Sequence, residues 1–276
     1  MNVLEISELT KVFRDFWHRP TVRAVSSLSL SVRRGEVLGL LGPNGSGKST
    51  TIKMILGLLR PSSGTIRYTL DAIPRLQSTA IDRNRPHSEA SGLSVFQPTD
   101  PRLRERIGYL PELSHLYHYL TPRETLRFYA DLFAMPRAHR KERIDTLLER
   151  VGLTEAADRA VGEFSKGMAR RLGLAQALIN DPDILILDEP TSGLDPLGRY
   201  QFKTLITELA AQGKTILLSS HLLGEVEDVC SRVAILYNGN LLADGDLGDI
   251  LVADGQRLTL EAYFLRVIQS NQVASG

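Results

Sequence analysis

Two groups of residues in this chain have the types and spacing needed to handle a nucleoside triphosphate. The first is Gly42-Pro43-Asn44-Gly45-Ser46-Gly47-Lys48-Ser49-Thr50, which carries the spacing G-x-x-x-x-G-K-S. Glycines in such a segment let backbone N–H groups turn inward toward phosphate oxygens, and a helix beginning there adds positive potential. In that arrangement Lys48 bridges the β and γ phosphates and the Ser49 hydroxyl ligates Mg²⁺. The second group is Asp188-Glu189, at the end of the apolar run Ile184-Leu185-Ile186-Leu187. Carboxylates at a strand's C-terminal end lie where α/β sheets place their ligands. Asp188 suits holding Mg²⁺, directly or through water, and Glu189 suits orienting a water toward the γ phosphate. An acidic pair at a strand end is by itself compatible with plain solvation. Beside the glycine-rich segment it reads as the second half of a triphosphate-hydrolysing site. The glycine-rich segment alone leaves kinase, GTPase, helicase and transporter ATPase open.

The elements that must position these groups are partly legible. Alternation at Leu28, Leu30 and Val32 predicts a half-exposed strand, ended by Arg33-Arg34-Gly35, and the run Val37 to Leu41 predicts a buried one. Ser49 to Leu59 places Ile52, Ile55, Leu56 and Leu59 on one helical stripe. Thr121-Pro122-Arg123-Glu124 is a capping-box start for a helix through Phe133, and Arg140 to Val151 is amphipathic, so a helical lobe is expected there. Strands at 184–187 and 215–218 flank a helix over Pro196 to Gln212, an alternation that implies a parallel sheet. Val233 to Tyr237, Asn238-Gly239 and Asn240 to Ala243 read as a hairpin with a type I′ turn. Leu258 to Ile268 predicts a short helix before a polar tail. From Ile66 to Glu105, around QSTAIDRNRPHSEASG, no period is sustained; the stretch reads as an insertion loop, with a partner-docking arm as the functional alternative.

With 276 residues, 42% of them hydrophobic, the chain can bury a large core, as one α/β domain or two smaller lobes. A net charge of +1 sets up no global field toward nucleic acid or an anionic membrane. The single cysteine, Cys230, cannot form an internal disulfide and reads as a small buried apolar residue. No apolar run reaches the roughly 18 residues of a membrane span, and MNVLEISELTK lacks a signal-peptide core, so a soluble chain that stays inside the cell is expected.

Three further segments, Phe164-Ser165-Lys166-Gly167-Met168, Ser192-Gly193-Leu194-Asp195 and Ser219-Ser220-His221, follow in an order that resembles the ATP-binding-cassette (ABC) ATPases. The resemblance runs from about Leu4 to about Ile268. It implies an α/β fold: a P-loop NTPase parallel-sheet core with an antiparallel β subdomain and an inserted α-helical subdomain. The expected single nucleotide-binding domain covers 1–268. Within it, 1–111 and 166–250 form the core and β subdomain, 112–165 the helical subdomain, and 68–106 a polar insertion loop; 269–276 would be a flexible tail. In such ATPases two domains face head to tail, with each ATP between the phosphate loop of one and the signature segment of the other. The resemblance therefore implies that Ser165 and Gly167 touch the γ phosphate across a homodimer or heterodimer and that Asp195 crosses the interface. It also implies that His221 contacts the γ phosphate and helps hold Glu189, and that Phe13 stacks on adenine, with Phe16 or Trp17 as alternatives. The cofactors implied are ATP and Mg²⁺. The partner implied is a separate ABC transmembrane permease subunit, with the chain peripheral at the cytoplasmic face of the inner membrane and no nucleic acid expected. The rival reading is a soluble ABC ATPase acting on nucleic acid or ribosomes. Such relatives carry two cassettes, long coiled coils or zinc modules, whereas this sequence has one glycine-rich phosphate segment, no heptad run and one cysteine.

Two positions depart from the common pattern. The signature LSGGQ reads FSKGM, which keeps Ser165 and Gly167 and adds the charge of Lys166. The Q-loop reads Gly108-Tyr109-Leu110-Pro111-Glu112, with Glu112 in place of glutamine. A carboxylate can still ligate Mg²⁺, so Glu112 joins Ser49 and Asp188 as an expected metal ligand, but it lacks the amide's donor. This GYLPE form resembles a branch of bacterial subunits, many of which serve exporters. Glu112 and the region Leu116 to Leu120 are expected to form the dock for the membrane subunit.

Overall fold

Two apolar runs whose every residue is buried occupy the centre of the molecule, Val37–Leu41 (β3) and Ile184–Asp188 (β7). The computed structural model describes residues 1–17, 19–71, 93–253 and 256–275. Before β3 come β1 (Asn2–Arg14) and β2 (Pro20–Arg33); after it come α1 (Lys48–Ile55), β4 (Ser63–Asp71), β5 (Leu93–Phe96) and β6 (Ile107–Leu110). The helical part holds α2 (Pro122–Leu132), α3 (Arg137–Arg150) and α4 (Lys166–Leu178). Beyond β7 follow α5 (Pro196–Ala211), β8 (Thr215–Ser220), α6 (Leu223–Val229), β9 (Arg232–Tyr237), β10 (Asn240–Asp246), α7 (Leu247–Ile250) and α8 (Leu260–Ser275).

Among the described residues, six strands form a sheet in the order β10-β9-β3-β8-β7-β6, parallel except for the β9–β10 hairpin. Parallel strands covered on both faces lose hydrophobic alternation, so β3 and β7 appear in sequence as unbroken apolar runs. Register aligns Leu41 with Ser220 and Asp188 with Ser219. Gly42, Glu189 and His221 therefore leave the sheet from one edge, on three adjacent strands.

The second sheet, β2-β1-β4-β5, is antiparallel. Its inner face is built by alternating residues such as Leu28, Leu30 and Val32, which pack with Leu38, Leu40, Ile52 and Ile55 in a core between the two sheets. A second core joins the parallel sheet to the helical part through Leu110, Leu126, Ile144, Leu147 and Leu172. Asn238 and Gly239 both take positive φ, 47° and 78°, as the expected hairpin turn requires.

Three boundaries differ from expectation. Helix α1 ends at Ile55 rather than Leu59, because Gly57 turns left-handed (φ 69°) and its N–H, with that of Leu58, returns to the last helical carbonyls. The supposed loop 68–106 contains the end of β4, all of β5 and a 3₁₀ turn over Pro101–Glu105. Ile66, Tyr68 and Leu70 are buried in alternation, so the end of β4 does carry a period of two, short as it is. Beyond it the anchors are far apart: Phe96 pairs with Tyr68 across the strands, and Leu103 is buried in the turn, which leaves no period to read there. The stretch 77–92 lies outside the described residues. At the other end, α8 passes Ile268 and runs to Ser275, through most of the segment expected as a flexible tail. Leu260 is buried, Tyr263 and Phe264 pack against the core, and no proline or glycine interrupts the helix before Gly276.

The Tyr68 hydroxyl, fully buried, donates to the Ile55 carbonyl at 2.8 Å and so ties the end of α1 to the antiparallel sheet. Tyr68→Phe should cost about 1–2 kcal/mol. This would be read as a lower urea midpoint at unchanged slope; a true loop position would show no change.

Candidate functional site

A cavity of about 490 Å³ opens at the sheet edge where β3, β7 and β8 end. Its wall on one side is Val22, Arg23 and Ala24 of β2, and its floor is the segment 44–50. Glu112, Glu189, Ser192, His221 and Asn238 close the rest. The floor needs glycine where the backbone is tightest. Gly47 sits at φ 105°, and a Cβ there would lie 2.5 Å from the Ala24 carbonyl oxygen; one at Gly42 would lie 2.2 Å from that of Leu236. Asn44 to Gly47 line the cavity and lead directly into α1, whose first residues, Lys48 to Thr50, line it too. That is the geometry of a phosphate cradle at a helix N-terminus.

Lys48 is nearly buried and donates from Nζ to the Gly42 carbonyl at 2.7 Å and to that of Pro43 at 3.3 Å. Gly42 and Pro43 do not line the cavity; their carbonyls hold the lysine that does. Nζ also lies 3.4 Å from Glu189 Oε1, close enough to pair charges but not aligned as a hydrogen bond, so Oε1 has no hydrogen-bond partner among the described residues. The other oxygen, Oε2, is 2.7 Å from His221 Nδ1.

Behind these groups runs a polar chain. Ser49 Oγ is 3.5 Å from Asp188 Oδ1, and the same Oδ1 accepts from Ser219 Oγ at 2.6 Å. Ser219 Oγ in turn accepts the Glu189 N–H at 3.0 Å. Glu189 has φ 47°, a left-handed conformation that costs a non-glycine residue about 1–3 kcal/mol and persists only where its surroundings enforce it. Ser219 enforces it from the amide side. Arg170 enforces it from the carbonyl side, donating from Nη2 to the Asp188 and Glu189 carbonyls, each at 2.7 Å. Burial draws the Arg170 guanidinium down to about 10, against the pull of Asp188, Glu112, Tyr109 and Glu189, so it remains a cation at neutral pH.

The donor set fits Mg²⁺. Ser49 Oγ and Asp188 Oδ1 are hard oxygens at adjacent positions, and this ion is held by one or two carboxylates with the remaining positions taken by water and phosphate oxygens. Glu112 lines the same cavity.

The expected residues divide cleanly. Lys48, Ser49, Thr50, Glu189, His221 and Glu112 line one cavity, with Asp188 beneath it. Ser165, Gly167 and Asp195 do not line it. Ser165 caps α4, accepting the Met168 N–H at 3.2 Å, and Asp195 caps α5, accepting the Gly198 N–H at 2.6 Å. Phe13 also stays outside: its ring carries the Lys11 ammonium at 5.3 Å, while Val22, its partner across the strands, forms cavity wall. Phe16 and Trp17 stack edge to face at 5.5 Å at the exposed end of the β1–β2 hairpin. Arg23, Asn238 and Arg170 are site residues that sequence reasoning missed. Ser219 and Ser192 stand in the segments 219–221 and 192–195 that carry the resemblance, but without a role assigned to either.

A family model described as "ABC transporter" matches residues 25–192. The chain belongs to the ABC transporter ATP-binding family. It is 43% identical over 254 residues to an ABC transporter ATP-binding protein of Nostoc sp., covering 91% of this chain and 68% of that one. It is 40% identical over 221 residues to the Nod factor export ATP-binding protein I of Burkholderia orbicola, covering 80% and 65%. Among solved structures it resembles the ATP-binding subunit of an ABC transporter (30% identity, TM-score 0.75, 96% of this chain and 99% of that one). It also resembles cbiO1 of Clostridium perfringens, part of the transporter complex cbiONQ (26%, 0.71, 100% and 99%). This ABC subunit binds and hydrolyses ATP, and the P-loop fold with its antiparallel and helical parts is the one its family uses. Among the described residues no helix is long and apolar enough to cross a membrane.

Ser219→Ala would leave the buried Glu189 N–H unpaired and free one side of Asp188. Steady-state kinetics should show kcat reduced about tenfold with KM for ATP little changed, a loss of roughly 1–2 kcal/mol.

Proposed function

We propose that this ABC subunit hydrolyses Mg·ATP at composite sites formed with a second nucleotide-binding domain and thereby drives export through a separate transmembrane subunit. The observation that carries this reading is the division of the site residues. One set converges on the cavity, while Ser165, Gly167 and Asp195 sit apart at two helix N-termini. A γ phosphate lying on one copy's cradle would meet the signature of a facing copy, where a helix N-terminus favours an anion.

In this reading Lys48 neutralises the β and γ phosphates, Asn44 to Thr50 supply backbone donors, and Gly42 and Pro43 shape the turn and hold Lys48 through their carbonyls. Ser49, Asp188 and Glu112 would hold Mg²⁺, which would supply positive charge to offset that of the phosphates. Glu189 orients the attacking water and takes up its hydrogen bond, while His221, bonded to Oε2, keeps the carboxylate in place and reaches the γ phosphate. Asp195 meets the facing copy. Phe13 stacks on adenine after leaving Lys11, with Phe16 or Trp17 as the alternative aromatics. Because the cross-dimer contacts need the γ phosphate, ATP favours the closed dimer and hydrolysis the open one.

Export and a membrane partner rest on the GYLPE segment, on the Nod factor export relatives and on YbhF of Escherichia coli, named for multidrug transport and 37% identical over 270 residues. The helical part presents a fitting surface beside Glu112. Leu113, Tyr117, Tyr119, Phe128 and Leu132 are exposed, and Tyr117 holds Tyr119 and Phe128 at 5.7 and 6.2 Å. Within Leu116 to Leu120, Leu116 is buried and anchors the segment, so the tyrosines carry the contact. An apolar aromatic face suits a protein partner better than ribosomal or nucleic-acid phosphate. The chain would then sit peripherally at the cytoplasmic face of the inner membrane.

Glu189→Gln should reduce turnover below detection while ATP assembles a stable dimer in analytical ultracentrifugation; normal hydrolysis would remove Glu189 from its role. For the dock, Tyr119→Cys offers one reactive thiol, since Cys230 is buried and burial pushes its thiol pKa up. Cross-linking from that cysteine in whole cells should capture a membrane-spanning protein. Capture of ribosomal proteins instead would favour the soluble rival.

A further inference from the structure

We infer that Lys166 is a positioning residue that fastens the signature segment to the loop Ser192–Asp195 of the same chain, so that both meet the facing domain as one surface. This rests on the composite-site reading for its purpose, though not for its contacts. Lys166 stands where the common signature has glycine. A Cβ built on Gly193 would lie 2.0 Å from Lys166 Nζ, 2.8 Å from Cε and 3.3 Å from Cδ, so the outer half of the lysine lies across the glycine. One residue further along, a Cβ on Gly167 would touch Leu194 at 3.9 Å. Gly167 itself, lacking a side chain, lies beside Leu194, so Lys166 is the signature residue that reaches the loop.

Neither charge nor helix capping explains a lysine there. It opens α4, whose first turn has no acidic residue, and a cation at a helix N-terminus works against the helix dipole. Among the described residues it makes no hydrogen bond or ion pair. What remains is the contact of its ammonium and last two methylenes with Gly193, both residues being exposed, and Gly193, already left-handed at φ 70°, is the residue type that leaves room for it. The loop it holds also reaches the nucleotide: Ser192 lines the cavity and Asp195 caps α5. Lys166 therefore connects the cavity of its own chain to the signature offered to the other.

The test uses the full chain and two readouts. In the isolated monomer, amide hydrogen exchange should quicken several-fold at Gly193 and Leu194 in Lys166→Ala and return toward the parent rate in Lys166→Met, which keeps an unbranched stem without charge. In the Glu189→Gln background, Lys166→Ala should weaken ATP-driven dimerisation about tenfold and Lys166→Met within threefold, with nucleotide affinity of the monomer and Tm unchanged. Unchanged exchange in Lys166→Ala, or a methionine variant as weak as the alanine variant, would each overturn the assignment. A Glu189→Gln chain that stays monomeric with ATP while exchange responds as expected would overturn the composite site and leave the contact standing.

Discussion

The catalytic geometry depends on one buried guanidinium. Arg170 donates to carbonyls of Asp188, Glu189 and Pro190 on one side and of Pro111 and Glu112 on the other. A planar fork with five N–H donors can serve that many acceptors from a single point, which a lysine cannot. Burial opposes the charge, and the fall of its pKa to about 10 measures the direction of that cost. Removing the group would leave several buried carbonyls unpaired, so the cation is better read as the tie between three segments than as a stabilising ion pair.

That tie has a mechanical consequence. Arg170 belongs to α4, whose N-terminus is the signature segment, and it grips both the Q-loop and the loop carrying Glu189. Glu112 and Glu189 are thus joined through one side chain, and both to Ser165 through α4. The contacts form a contiguous packed path, the kind of arrangement by which a change at one end of it can bias the other. The site also retains polar groups that stability alone would not keep: Ser46 Oγ is buried without a hydrogen-bond partner among the described residues, and Glu189 Oε1 has the Lys48 charge 3.4 Å away but no hydrogen bond. A buried unpaired hydroxyl such as that of Ser46 costs about 1–3 kcal/mol, and both residues line the cavity.

Buried parallel strands and capped helices are legible because their signals are local: β3, β7, the capping box at Thr121 and the Asn238-Gly239 turn each need only a few neighbouring residues. The end of β4 shows only a three-residue alternation at Ile66, Tyr68 and Leu70, and β5 exists through its pairing with β4, where Phe96 meets Tyr68 across 28 positions, a pairing no window reveals. At the end of α1 the apolar stripe continues to Leu59 while Gly57, by turning left-handed, has already broken the helix.

By itself the sequence determined which chemistry is present: the phosphate cradle, the acidic pair after a buried strand, the histidine one strand later, and the two departures at Lys166 and Glu112. These are statements of residue type and spacing, and spacing along the chain constrains a turn of backbone directly. Tertiary structure alone decided which groups share a cavity and which face away from it. It brought Ser219 between Asp188 and Glu189, placed Arg23 and Asn238 on the cavity wall, left Phe13 under Lys11 and laid Lys166 on Gly193. Each of those contacts joins segments separated by turns and strands, so it is set by sheet register and core packing rather than by any neighbouring residue.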